Sequence, residues 1–261
     1  MKNTELEALI FDVDGTLSDT ERDGHRVAFN MAFDEYGINW HWDEATYGEL
    51  LAVTGGKERM HYFYDNFTAA RDIDPGQAAR LDELIRDLHK AKTRHYTELL
   101  ATGAIPLRPG VARLLMEARQ QGLRLAIATT TTPANVTALL KHTLGEASIG
   151  WFEVIAAGDI VPAKKPAADI FTYTLRQMQL EPARCLAFED SHNGLLSSTG
   201  AGLETVVTVN GYTRHHDFSG AVLVLDNLGE PEQPFTVLAG NVDGYQMVDV
   251  ALLKYLHQRL Q

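Results

Sequence analysis

At 261 residues, 45% of them hydrophobic, the chain is long enough for one large domain or for a domain carrying an insertion. A formal charge of −12 excludes a nucleic-acid surface, which needs a basic stripe, and means that any anionic substrate must be captured by local cations. A single cysteine, Cys185, excludes an internal disulfide; with neither a signal peptide nor a bilayer-length apolar stretch in view, a soluble, reducing, cytoplasmic setting without membrane partners is expected.

The first apolar run, Ala8 to Phe11, reads as a strand, and Asp12 and Asp14 follow it directly. Residues two apart on a strand point to one side, so both carboxylates crowd at the strand's C-terminal end, with Gly15 making the turn. Such crowding is unfavourable unless a cation or a proton sits between the acids. The pair is therefore a candidate Mg²⁺ site with one carboxylate free to act as nucleophile.

Residues 20–100 hold almost no β-type run. They read as successive helices: Arg22 to Tyr36, Trp42 to Leu51, Lys57 to Phe67 and Gln77 to Leu100. Such a block after the first strand implies a separate cap, hinged at Ser18 to Glu21 and around Ala104 to Pro109. Ser18-Asp19-Thr20-Glu21 fits a capping box, which gives Glu21 a structural task. Contact with substrate hydroxyls is the other reading, and both stay open. His25 lies at i+4 from Glu21, on the same helix face, either in the site or as a surface histidine. Thr54-Gly55-Gly56-Lys57-Glu58-Arg59 puts two glycines before a helix, where exposed N–H groups and the positive dipole end favour an anion. A plain helix–helix turn with solvated charges is the alternative. As an anion site it would hold a second phosphate, pointing to a bisphosphate or phosphosugar.

From residue 104 onward, strands alternate with amphipathic helices. Leu123 to Ala128, Phe152 to Ala157, Cys185 to Phe188 and Thr205 to Val209 read as strands, with Val222 to Leu225 as a peripheral one. Val111 to Gln121, Ala134 to His142, Ala167 to Met178 and Gly194 to Thr199 read as helices, and Tyr245 to Arg259 as a terminal helix. The alternation predicts an α/β fold: a Rossmann-like parallel sheet core, residues 1–19 and 101–261, with an inserted helical cap, residues 20–100.

In an open parallel sheet, ligands bind beyond the C-terminal strand ends. Thr129 to Thr132 follow the second strand, Lys164-Lys165-Pro166 closes the loop after the third, and Glu189, Asp190 and Ser191 follow the fourth. Thr129, first after its strand, is the best hydroxyl for the site. Thr130 is a substrate-binding candidate or, like Thr131, loop filler. Thr132 before Pro133 reads as a helix N-cap, as does Ser191. His192 and Asn193 read as surface or capping residues, and Cys185 as a buried core thiol.

Asp12-Val13-Asp14-Gly15-Thr16, Thr129, Lys165-Pro166 and Glu189-Asp190 match in order and spacing the four motifs of the haloacid dehalogenase-like hydrolases, which the chain resembles over essentially its whole length. The resemblance implies that Asp12 attacks phosphorus and becomes an aspartyl-phosphate, and that Asp14 protonates the leaving oxygen and then activates water. It implies Mg²⁺ held by Asp12, the Asp14 carbonyl and Asp190, with Glu189 nearby, and phosphoryl oxygens held by Thr129 and Lys165. The run of His25, Phe29 and Asn30, then Gly37-Ile38-Asn39-Trp40, then Thr-Gly-Gly-Lys-Glu-Arg, is similar to the CbbY subfamily, relatives of β-phosphoglucomutase. That likeness implies hydrolysis of xylulose-1,5-bisphosphate, a Rubisco inhibitor, to xylulose 5-phosphate. Direct contact with Rubisco is not indicated by it. A phosphosugar mutase and a non-catalytic phosphosugar-binding module are the rival expectations; intact Asp12, Asp14, Lys165 and Asp190 count against the second.

Overall fold

The structure is a computed structural model that describes residues 5–67, 73–103 and 105–259. Ala104 of the expected second hinge, residues 68–72 of the expected cap and residues 1–4 and 260–261 of the expected core lie outside that description.

Seven strands form one sheet: β1 (Ala8–Phe11), β2 (Arg124–Thr129), β3 (Phe152–Ala157), β4 (Cys185–Glu189), β5 (Glu204–Thr208), β6 (Leu223–Leu225) and β7 (Val237–Gly240), in the order β3-β2-β1-β4-β5-β6-β7. All pairings are parallel except β6–β7, which is antiparallel. β1 is buried on both faces: Leu9 and Phe11 enter one apolar cluster, Ala8 and Ile10 the other. A strand covered on both sides reads as a continuous apolar run, as this one does. The register decides where the chemistry converges. Phe11 pairs with Ile127 on one side and Phe188 on the other, so Asp12 emerges level with Ala128 and Glu189. The Asp12 N–H donates to the Phe188 carbonyl at 3.0 Å.

Among the described residues from 20 to 103, a π-helical turn, Glu21–His25, is followed by the helices α1 (Arg26–Glu35), α2 (Glu44–Leu50), α3 (Gly56–Asn66), α4 (Pro75–Ala78) and α5 (Leu81–Ala101). They enclose an aromatic cluster in which Trp40 and Trp42 meet Phe33 and Phe63 edge-on, with centroids 5.0–5.5 Å apart. Edge-on pairs add about 0.5–1.5 kcal/mol each beyond their area burial. Helix α5 joins both regions. Leu84, Ile85, Leu88 and Ala91 enter the aromatic cluster, whereas Tyr96 and Leu100 enter the cluster beneath the sheet.

Helices α6 (Val111–Gln120), α7 (Pro133–Leu144) and α10 (Val250–Arg259) cover one sheet face, and α8 (Asp169–Met178) covers the other. Helix α9 (His192–Gly200) packs Leu195 against Val207 of β5. The caps foreseen at Thr132 and Ser191 form: Thr132 accepts from the Asn135 N–H and Ser191 from the Gly194 N–H.

Four expectations need correction. Ser18 to Glu21 make no capping box, because the site takes those side chains: the Ser18 hydroxyl donates to the Pro106 carbonyl, and Thr20 Oγ1 donates to Asp14 at 2.6 Å. A capping box lies instead at Asp74 and Gln77, at the start of α4, and the helix expected from Gln77 to Leu100 is broken into α4 and α5 at Ala79 and Arg80, where Arg80 leaves the helical backbone. The terminal helix starts at Val250, not Tyr245, with Asp249 accepting from the Leu252 N–H. Strand β7 was not foreseen, since all four of its residues are exposed and give no alternating pattern.

Candidate active site

The C-terminal strand ends open onto a cleft of about 350 Å³ lined by Asp12, Asp14, Thr129, Thr130, Lys165, Glu189 and Asp190 on the sheet side. Lys165 organises its floor. Its Nζ donates to Asp12 Oδ1 at 2.7 Å, to Glu189 Oε1 at 2.6 Å and to the Ala128 carbonyl at 2.9 Å. Burial alone would lower the lysine pKa, but Asp12 and Glu189 outweigh it and hold the ammonium charged. Asp190 N–H donates to Glu189 Oε2, so both oxygens of that acid are engaged. Thr129 is 1% exposed at the end of β2, its hydroxyl oxygen accepting from the Thr131 N–H.

One oxygen each from Asp12, Glu189 and Asp190 lie within 4.8 Å of one another, and among the described residues this is the one acidic group so arranged. Burial pushes Asp12 above its ordinary pKa against the pull of Lys165, and it pushes Glu189 up to about 7. Asp190 is driven well up by burial and then by its two acidic neighbours. Three carboxyls raised together mark a site short of positive charge. Hard oxygen donors in that setting fit Mg²⁺.

Asp14, on the same cleft, shifts in the opposite direction. Burial would raise its pKa, but His25 and Thr20 outweigh that, and it ends well below the usual carboxylate range. His25 Nε2 lies 2.7 Å from Asp14 Oδ1, and Lys92 Nζ of α5 lies 2.6 Å from His25 Nδ1. An ammonium can only donate, so Nδ1 is the accepting nitrogen and the ring proton sits on Nε2, facing Asp14.

Helices α2 and α3 form the opposite wall. Glu21 accepts from the Tyr47 hydroxyl at 2.5 Å, and Tyr47 accepts from Arg59 Nη1 at 2.8 Å. Arg59 Nε is held by the Leu50 and Val53 carbonyls, which leaves Nη2 without a protein partner among the described residues. Thr54, Gly55 and Arg59 line the cleft, and Thr54 Oγ1 accepts from Asn193 Nδ2 at 3.2 Å. Gly56 lines an adjoining recess with His25 and Lys92. Lys57 lines neither cavity; it donates to Asp159 at 2.6 Å across the mouth. Lys164 completes that contact with Glu58 at 2.6 Å and Asp159 at 3.1 Å.

The expected core residues thus converge, and Glu21, His25, Thr54, Gly55, Gly56 and Thr130 lie on the cavity walls; Lys57 does not. Sequence reasoning passed over several others. His192 and Asn193, read as surface or capping residues, line the cleft. Lys92 had a signal: it falls on the buried stripe of α5 between Leu88 and Tyr96, where a lone charge needs a partner. Arg108 had none. It is buried and donates to carbonyls of Gly15, Thr208, Val209 and Asp226, tying the first motif to the ends of β5 and β6.

This fold and this convergence of acids and lysine define a phosphoric monoester hydrolase. A family model described as haloacid dehalogenase-like hydrolase matches residues 6–202, and the chain belongs to that family. Within it the chain falls in the CbbY group. It is 47% identical over 257 residues to the plasmid-encoded protein CbbY of Cupriavidus necator, covering 97% of each chain. It is 51% identical over 217 residues to protein CbbY of Rhodobacter capsulatus, covering 83% of this chain and 91% of that one. The crystal structure of an Asp-to-Asn mutant of CbbY from Rhodobacter sphaeroides in complex with xylulose-(1,5)bisphosphate superposes with a TM-score of 0.79 at 46% identity, covering 86% of this chain and 96% of that one. Among the described residues, no helix is long and apolar enough to cross a membrane.

Proposed function

We propose that the chain is a Mg²⁺-dependent sugar-phosphate phosphatase that hydrolyses xylulose-1,5-bisphosphate to xylulose 5-phosphate through an aspartyl-phosphate on Asp12, and so removes a Rubisco inhibitor. The observation that carries the reading is the pair of opposed polar walls across one cleft: Asp12 with Lys165 on the sheet side, Arg59 on the helical side. A substrate with a phosphate at each end fits that arrangement, and the sugar bisphosphate held by the Rhodobacter sphaeroides relative supports it.

In this reading Asp12 attacks phosphorus while Asp14, ionised in the free chain and protonated as the dianionic substrate binds, passes that proton to the leaving oxygen. His25, steadied by Lys92, supports Asp14 in each protonation state. Asp14 then takes a proton from the water that cleaves the aspartyl-phosphate. Thr129, Lys165 and N–H groups near Asp14 hold the phosphoryl oxygens. Asp12, the Asp14 carbonyl and Asp190, with Glu189 beside them, would hold Mg²⁺, which would supply charge neutralisation for the transferring group. Arg59, Thr54, Gly55 and Gly56 hold the distal phosphate, and Glu21 and Thr130 contact the sugar between.

The test is phosphate release from xylulose-1,5-bisphosphate, ribulose-1,5-bisphosphate and β-glucose 1-phosphate, with sugar products assayed in parallel. Release from the first with the second spared is the expected result. Isomerised glucose phosphate without free phosphate would make the chain a mutase instead.

A further inference from the structure

Lys165 serves Asp12 and Glu189 but not Asp190. Asp190 Oδ2 instead accepts a hydrogen bond from Asn210 Nδ2 at 2.6 Å. Asn210 stands two residues past the end of β5, and its amide is held at both ends. Oδ1 accepts from the Tyr212 N–H at 2.9 Å while Nδ2 serves Asp190, and the Asn210 main-chain N–H separately donates to Thr213 Oγ1 at 3.0 Å. A main-chain N–H can only donate and a carboxylate can only accept, so chemistry fixes which way the amide points. The first motif makes room for this pair. Gly15 has φ +87°, and a Cβ there would overlap the Asp190 carboxylate and the Asn210 amide.

We infer that Asn210 is a positioning residue for Asp190. By occupying Oδ2 it fixes the carboxylate plane and leaves Oδ1 for the point where Asp12 and Glu189 converge. The inference rests on that cluster being the cation site. Asn210 touches no reacting atom in this reading; it acts through Asp190. Groups hydrogen-bonded to metal ligands are worth about 10–100-fold in metal affinity.

The test uses the full chain without substrate and reads Mg²⁺ binding by titration calorimetry, alongside the thermal midpoint in metal-free buffer. Asn210→Leu keeps bulk and removes both hydrogen bonds. Asn210→Ser keeps an oxygen that can accept from the Tyr212 N–H but is too short to reach Asp190. Both are expected to weaken Mg²⁺ about 10- to 100-fold, with metal-free midpoints near that of the parent. If Asn210→Leu fails to fold, Asn210→Ser decides. Asp190→Asn separates the two layers of the inference. If it abolishes Mg²⁺ binding while the Asn210 variants bind within about twofold of the parent, the role of Asn210 is overturned. If Asp190→Asn itself leaves binding intact, the cluster is not the cation site and the inference falls with it.

Discussion

Lys92 Nζ sits 2.6 Å from His25 Nδ1, so a helical-region lysine reaches the Asp14 carboxylate through a single imidazole. Burial lowers the Lys92 pKa to about 8, against the upward pull of Asp14 and Glu21. Below pH 8 the lysine is charged in both folded and unfolded chains, and the full cost of burying the charge is present. Between pH 8 and its ordinary 10.5 the unfolded chain binds more protons, so this residue makes stability rise with pH. Subtracting Lys92→Met from the parent, in unfolding free energies measured from pH 7 to 10.5, is expected to show a rise of at most about 3 kcal/mol. A flat difference would mean that burial does not lower the Lys92 pKa and that the ammonium stays charged in the folded chain across that range.

Asp12→Asn keeps the shape of the side chain and an oxygen for Lys165 but removes the carboxylate proposed to attack phosphorus. Phosphate release is expected to fall by about 10⁴-fold or more. Because the Asp12 charge is also crowded by burial and by Asp14, the metal-free variant is expected to melt above the parent. Turnover that survived the substitution would remove the aspartyl-phosphate from the mechanism.

The sequence points to Lys57 for a second anion, but Lys57 sits at the rim and Arg59 on the cleft wall. Arg59→Lys retains the charge but cannot serve Tyr47 and two carbonyls from one planar fork. It is expected to raise the KM for a sugar bisphosphate about tenfold or more, roughly 1.4 kcal/mol, and to leave an aryl monophosphate within about threefold. Lys57→Ala is expected to leave both within about threefold. Steady-state kinetics on the two substrates checks this, and the reverse ranking would return the distal phosphate to Lys57.

Asp159 takes both Lys57 and Lys164 at the rim, and the hydrogen bond from Lys57 is the largest influence holding its pKa down at about 2. Asp159 and Lys57 are well exposed, so each contact is worth about 0.2–1 kcal/mol and is screened by salt. Asp159→Asn is expected to raise KM about two- to fivefold in dilute buffer. Raising salt to about 0.5 M should raise the parent's KM similarly and leave the variant unchanged.

Mg²⁺ bound only by the folded chain raises its stability by about 2.7 kcal/mol at one hundred times the dissociation constant. A matching rise in the thermal midpoint, reversed by a chelator, is expected in the parent and absent in Asp190→Asn.

The sheet and the core of the site were legible because each depends on short local patterns. A continuous apolar run followed by Asp12 and Asp14 locates a buried strand and its exit, and the equivalent exits at Thr129 and Glu189 are aligned by parallel pairing, while Lys165 comes in from the loop after β3. The helical wall was less legible, since its contacts cross long sequence distances. Tyr47 reaches Glu21 over 26 residues, and Lys92 reaches His25 over 67. Ser18 and Thr20 looked like a helix cap because the same short hydroxyls that cap helices also bind carboxylates and carbonyls. Lys57 and Arg59 look alike as charges in sequence; only burial separates the rim residue from the wall residue.

Lys164 and Lys165 are neighbours in the chain with opposite allegiances: one grips Glu58 on α3, the other grips Asp12. The peptide that carries the ammonium against Asp12 is thus anchored, through its neighbour, to α3, so the rim of the cleft and its floor are joined by two consecutive residues.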